Sequence, residues 1–503
     1  MGKLKQLASD TAIYGISSIL GRVLSYLLVS FHTDIFVEAQ YGIVTKLYAY
    51  TAFFNVICTF GMETAFFRYA SRFKEKRDFI FYQANFYVIF LSLLVTGLVF
   101  FNATAVVNFL DYPGREQLVQ WLAIIIFIDA VVAIPFARIR LENRPKFFAL
   151  VRISSIVLTV LLNLFFLYPL PELAAGKYLT FLQPIAETIY NPELGVGYIF
   201  LANLIGNSIM VIFLWKYLLA LRLNIPWKQL QPMLKYAIPI VIIGVAGIAN
   251  EQLDKILLEE LWPANLWGFS GEEALGIYGA CFKLSVFMLL AIQAFRYAAE
   301  PFFFSNAEDK QGPELFARVM YYFVLLSLVI FVGVSLNVDL IGFIFLRQEG
   351  YRVGLFVVPY LLLGKLFFGI YVNLSIWYKI TDKTVYGVYF SVLGAIITII
   401  GNLLLIPVIG FLGSAITAIV AYLGMSMACY FVGQKHFTIP YNVKAILLQV
   451  LIATVVVVIF FNIKFENTFV NYALGLIISL AYITYLFYIE KNKLKQIANK
   501  RKS

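Results

Sequence analysis

Histidine occurs twice and cysteine three times in 503 residues, and only 13% of positions carry a charge. Each scarcity excludes a class of protein. His32 and His436 stand alone near the edges of apolar runs, and no H-E-x-x-H pair or G-x-x-x-x-G-K-[ST] loop occurs anywhere, so zinc hydrolysis and nucleotide-driven pumping lack their usual residues. Cys58, Cys281 and Cys429 lie inside apolar runs without a C-x-x-C spacing or a neighbouring histidine. That leaves no disulfide framework or zinc site, and they read as small core residues. No catalytic residue, metal site or cofactor is expected, and no gap between apolar runs is long enough to hold a catalytic domain.

What remains is apolar: hydrophobic residues fill 61% of the chain. A soluble chain of this composition would aggregate, so the class is an all-α polytopic membrane protein. Windows of about 20 apolar residues suffice to cross a bilayer. They place helices near 11–33, 42–66, 80–103, 117–137, 147–169, 196–219, 236–258, 273–299, 316–337, 354–378, 385–407, 410–433, 445–462 and 469–489. The expected architecture is therefore about 14 transmembrane helices. The start of the tenth is blurred by apolar residues before Arg347, and the Pro171–Pro192 loop is longer than the other outer gaps. The first run carries Arg22 and no small-residue cleavage site, so it reads as a retained helix rather than a signal peptide.

Basic residues test that count. The net charge is +11, and 27 of the 39 Lys and Arg residues fall in alternate gaps and both tails. The opposite gaps hold only Arg115, Lys177, Arg347, Arg352 and Lys464. Cytoplasmic loops carry this excess, so both termini are expected inside, with the basic face toward anionic lipid rather than nucleic acid.

An internal repeat underlies the pattern. "NLFFLYP" from Asn163 and "NLLLIP" from Asn402 close the fifth and eleventh helices, and "YGI" at Tyr41 matches "LGI" at Leu275. Six helices separate the copies, so two halves with the same direction are expected, related by a pseudo-two-fold axis along the membrane normal around a central cavity. The expected division is an N-terminal lobe over 1–220, a C-terminal lobe over 221–440, and two further helices with a basic tail over 441–503.

Seven cations sit within the apolar runs: Arg22, Lys46, Arg152, Lys255, Lys283, Arg296 and Lys365. A charge at membrane depth costs roughly 3 kcal/mol or more and persists beside a partner or a hydrated cavity. Arg22, Lys255, Lys283, Lys365, Arg296 and Lys46 are the candidates to line a cavity for an anionic, phosphate-bearing cargo, because guanidinium and ammonium groups replace its water shell. The alternatives are ion pairs with neighbouring helices and, for Lys46, Lys283 and Arg296, side chains reaching back to the interface. Arg152 is assigned to lipid phosphate. Asp254 and Lys255 are adjacent, and about 100° per residue points their side chains apart. The deep acids Asp129, Asp254 and Glu63 are candidates for proton or sodium coupling.

The chain resembles a family. The segments "LGRVLSYLLVSF", "AQYGIVTKLYAY", "GMETAFFRYAS", "ARIRLENRPKFFALVRI", "LKYAIPIVIIGVAGIANEQLDKILL" and "LGIYGACFKLSVFMLLAIQAFRYAAEPFFFS" are similar to the polysaccharide-biosynthesis flippases of the multidrug, oligosaccharidyl-lipid and polysaccharide exporter superfamily. The resemblance implies two six-helix lobes plus two helices. It implies translocation of an undecaprenyl-pyrophosphate-linked oligosaccharide, such as an O-antigen or capsule unit, across a bacterial inner membrane by alternating access, and in that setting the Pro171–Pro192 loop is expected to form a short interfacial helix that touches the glycan. It also implies membrane lipids, a coupling proton or sodium ion, and polymerase and ligase machinery as partners. The principal alternative is a cation or drug antiporter of the same fold, which would need unpaired cavity acids.

Overall fold

The computed structural model describes residues 20–500 apart from positions 22, 25, 221–226, 265, 307, 308, 310, 464 and 466. All regular structure among the described residues is helical, and 13 spans are long and apolar enough to cross a membrane. They coincide one for one with the second to fourteenth expected helices. Most of the first falls outside the described residues; its described part is helix α1 (20–35). Contacts divide the chain into two compact units, Met1–Ile256 and Leu257–Ser503.

In the first unit, α1 is followed by α2 (Glu38–Thr59), α3 (Met62–Arg72), α4 (Arg77–Phe101), the short α5 (Ala103–Phe109), α6 (Glu116–Leu141) and α7 (Pro145–Leu167). Short α8 (Pro169–Ala174) and α9 (Gln183–Ile189) lead to α10 (Gly197–Leu218), and α11 (Trp227–Glu260) carries the chain into the second unit. Helix α6 is the hub: it packs on α2, α3, α4, α5, α7 and α10. Its sequence is apolar on every side, the pattern of a helix buried all round, and 72% of its most apolar stretch is buried.

The second expected helix is not one rod. It breaks between α2 and α3 at Phe60 and Gly61, whose φ values of 47° and 62° are left-handed. Glycine is needed there twice over, because a Cβ on Gly61 would also stand 3.0 Å from Ile240 and 3.2 Å from the Ala237 carbonyl oxygen on α11. Periodicity does not register such a break, since the apolar run continues through it.

The second unit holds α12 (Gly271–Leu284), α13 (Val286–Ser305), α14 (Gly312–Leu336), α15 (Val338–Phe345), α16 (Glu349–Arg352), α17 (Val358–Leu374), α18 (Ile376–Ile380), α19 (Val385–Ile409), α20 (Phe411–His436), α21 (Val443–Asn462) and α22 (Thr468–Lys500). The eighth expected helix is likewise divided, by a turn at Ser285 between α12 and α13, where the Ser285 hydroxyl donates to the Phe282 carbonyl at 2.7 Å. Helix α17 is the hub here, packed on α12, α13, α14 and α20, and its span is also 72% buried. The last two helices dock on α14. Asn337 donates to Ser479 at 3.1 Å, the Tyr321 hydroxyl to Glu490 at 2.9 Å, and Gly475 passes so close to the Leu336 carbonyl that a Cβ would stand 2.4 Å from it.

The two "N-L" segments that suggested a repeat behave alike. Asn163 on α7 and Asn402 on α19 are both buried, and each amide donates to the carbonyl four residues earlier, Thr159 at 2.9 Å and Thr398 at 2.8 Å. Each helix then packs along its successor, α10 or α20.

Candidate functional site

A polar cavity of about 540 Å³ opens within the first unit, between α2, α3, α6, α7 and α11. Four ionisable side chains line it: Glu63, Asp129, Arg140 and Arg152. Helix α6 supplies Asp129 at its middle and Arg140 in its last turns, about three turns apart on one side. The break at Phe60–Gly61 sets Glu63 in the first turn of α3, where it forms an ion pair with Arg140. The Arg140 guanidinium also lies 5.1 Å from the Phe67 ring centre.

Asp129 is held by a chain of amides. Asn207 on α10 donates to its Oδ1 at 3.0 Å, Ser155 on α7 donates to the Asn207 oxygen at 3.1 Å, and the Asn55 side chain on α2 is a further partner. Arg152 interacts electrostatically with Asp129 and with Glu63, and its guanidinium stands 5.1 Å from the Phe136 ring centre. Arg152 is exposed and is among the residues that line this cavity. Besides the lipid phosphate expected of it, Arg152 thus has Asp129 and Glu63 as electrostatic neighbours. Two guanidiniums and two carboxylates leave the cavity formally neutral, so losing or gaining one ion or proton leaves one charge uncompensated in a low-dielectric place.

The remaining expected residues are distributed differently. Lys255 does not point away from Asp254: its Nζ lies 3.0 Å from Asp254 Oδ1 and donates to the Glu251 carbonyl at 2.8 Å. A four-carbon stem curls back where a rigid projection from the backbone could not, and both residues are buried. Lys46 does not reach the interface either; it is fully buried with its ammonium 5.2 Å from the Tyr112 ring centre. Lys365, at the middle of α17, is buried with its ammonium 5.0 Å from the Phe282 ring centre. Lys283 and Arg296 are exposed. Arg22 lies outside the described residues. Of the three acids, the structure brings Glu63 and Asp129 together and leaves Asp254 with Lys255. Sequence reasoning missed Arg140 as a cavity residue, since it reads as a loop cation. The signal that could have found it is its helical spacing from Asp129, which puts both side chains on one side of α6.

Residues 35–175 match the family model described as polysaccharide biosynthesis protein. No curated protein sequence matches it. Among solved structures, the lipid II flippase MurJ in an inward-closed conformation shares 16% identity over 95% of this chain and 99% of its own, with a TM-score of 0.69. An inward-facing multidrug resistance transporter of the MATE family, in the MOP superfamily, shares 12% over 82% and 94%, with a TM-score of 0.62. A MOP-superfamily transporter from Pyrococcus furiosus, described by the reverse polarity of its binding pocket, shares 13% over 85% and 95%, at 0.54. The chain is a multi-pass membrane protein with a fold shared by flippases and transporters.

Proposed function

We propose that this protein is a flippase that moves a pyrophosphate-linked oligosaccharide on a polyprenyl carrier between leaflets of a bacterial inner membrane, with both termini cytoplasmic. One observation carries the reading. The match to the lipid II flippase extends over 95% of the chain, whereas the transporter match extends over 82%. Helices α21 and α22, docked on α14, bring apolar surface without a charge at mid-membrane depth, which suits a carrier whose lipid tail stays in hydrocarbon. The family match over 35–175 supports a glycan cargo.

The energetic problem is the pyrophosphate, which carries about two negative charges and cannot enter hydrocarbon without replacement of its hydration. Arg22, Lys283, Arg296 and Lys365 are proposed to serve it, with Lys46 and Lys255 supporting their helices. Lobes over 1–220 and 221–440, with 441–503 appended, would alternate access. The Glu63 and Asp129 cavity is proposed to take the coupling proton or sodium ion. A drug antiporter gains support from those two carboxylates, but each is matched by a guanidinium.

The test is reconstitution. Purified protein in vesicles should move a fluorescent polyprenyl-pyrophosphate glycan to the opposite leaflet, faster with an imposed ion gradient. Gradient-driven drug accumulation with no glycan movement would replace the flippase by the antiporter.

A further inference from the structure

The segment joining α7 to α10 is too ordered to be a simple connection. Leu170 of α8 and Ala186 of α9 are buried in a cluster with Phe166, Tyr198 and Ala202. The Asn191 amide donates to the Tyr198 hydroxyl at 2.7 Å, and Tyr190 stacks on Tyr198 with ring centres 6.1 Å apart and planes 10° off parallel. The segment is thus seated on the end of α10.

Its outward surface is sorted by chemistry. At roughly 100° per residue, α9 turns Ile185 and Ile189 to one side, Gln183 and Glu187 to nearly the opposite side, and Ala186 between them toward the protein. The polar side is matched within itself: Gln183 donates to Glu187 at 2.8 Å, and Lys177 pairs with Glu172 at 2.8 Å. The apolar side is uncovered. Phe181 is 72% and Ile185 59% exposed, and Tyr178, Leu179 and Ile189 are exposed beside them. Leu179 is held at φ 45°, a left-handed conformation that a branched side chain adopts at a cost, and it too stands outward. In water, a seated segment that exposes five large apolar groups while pairing its polar ones would be unfavourable.

A three-sided helix of this kind fits a boundary: protein on one side, water on another, hydrocarbon on the third. The helices it joins also expose large apolar side chains within membrane spans, Leu161 and Phe165 on α7 and Ile205 and Ile212 on α10. We infer that 178–189 is a lipid-seated interfacial anchor, with Phe181, Ile185 and Ile189 inserted among phospholipid acyl chains and Gln183 and Glu187 in water. This holds whatever the cargo is, and it makes the occupant phospholipid rather than the glycan expected at this loop.

The test uses single introduced cysteines, because Cys58, Cys281 and Cys429 are all buried. Ile185→Cys and Glu187→Cys are labelled with an environment-sensitive NBD dye and placed in phosphatidylcholine vesicles with or without brominated acyl chains. The label at 185 should emit blue-shifted light and be quenched by bromine, while the label at 187 emits as in water. Water-like emission at 185 overturns the proposal, as it would if a partner protein were the natural occupant. Blue-shifted emission untouched by bromine also overturns it, by pointing to a protein contact such as a second copy. Phe181→Cys gives the same reading where Ile185→Cys does not fold.

Discussion

The two units share features of one plan but differ in the charge that each places at the middle of its hub helix. Each has one hub helix, α6 or α17, equally buried, and each has a buried asparagine bonded back along its own helix, Asn163 or Asn402. At the middle of its hub, the first unit carries Asp129 in a polar cavity with Arg152 and an Arg140–Glu63 pair, whereas the second carries Lys365 buried over an aromatic ring. The two buried asparagines are thus alike in the two units, while the mid-hub charges are not. Close packing penalises change at every core contact, whereas a mid-helix charge is constrained by the groups that surround it.

The largest effect should come from the buried pair at the end of the first unit. Lys255→Met leaves Asp254 as a buried charge without its neighbour and should lower stability by about 3 kcal/mol in detergent unfolding. Adding Asp254→Asn should recover most of it, and no recovery would mean the two are not coupled.

Next come the hubs themselves. Asp129→Asn and Lys365→Met should each slow reconstituted flipping by about tenfold, and the exchange Asp129→Lys with Lys365→Asp should not restore it, because each charge answers to a different environment. Restoration would erase the distinction between the units.

A smaller change is expected at the cavity rim. Arg140→Ala removes a half-exposed ion pair with Glu63 and should cost about 1 kcal/mol or less; a much larger loss would show that the pair locks the α2–α3 break.

The smallest effect separates the two asparagines. Asn163 also lies 3.1 Å from His32 Nε2, while the Asn402 carbonyl oxygen has no partner among the described residues. Asn163→Leu should therefore cost about 1 kcal/mol and Asn402→Leu close to nothing, as read from thermal unfolding of the two variants.

The second to fourteenth helices were legible in order because a bilayer demands long apolar runs of about 20 residues. The breaks at Phe60–Gly61 and Ser285 were not, because an apolar run carries no mark of a changed φ. The cavity was half legible. Glu63 and Asp129 stood out as acids at depth, but Arg140 looked like a loop cation and Arg152 like a lipid contact, since linear order does not say which side of a helix meets which neighbour.

Composition alone therefore decided the solvent: 61% hydrophobic residues with 13% charged require hydrocarbon around the chain. Alternation of basic gaps added only the expectation of a direction. Pairing was left to the tertiary structure, because Arg140 and Glu63 are 77 residues apart and Asn207 and Asp129 are 78 apart. A charge at depth is settled by whichever groups the fold brings within a few ångströms, and only packing of α2, α3, α6, α7 and α10 makes that selection.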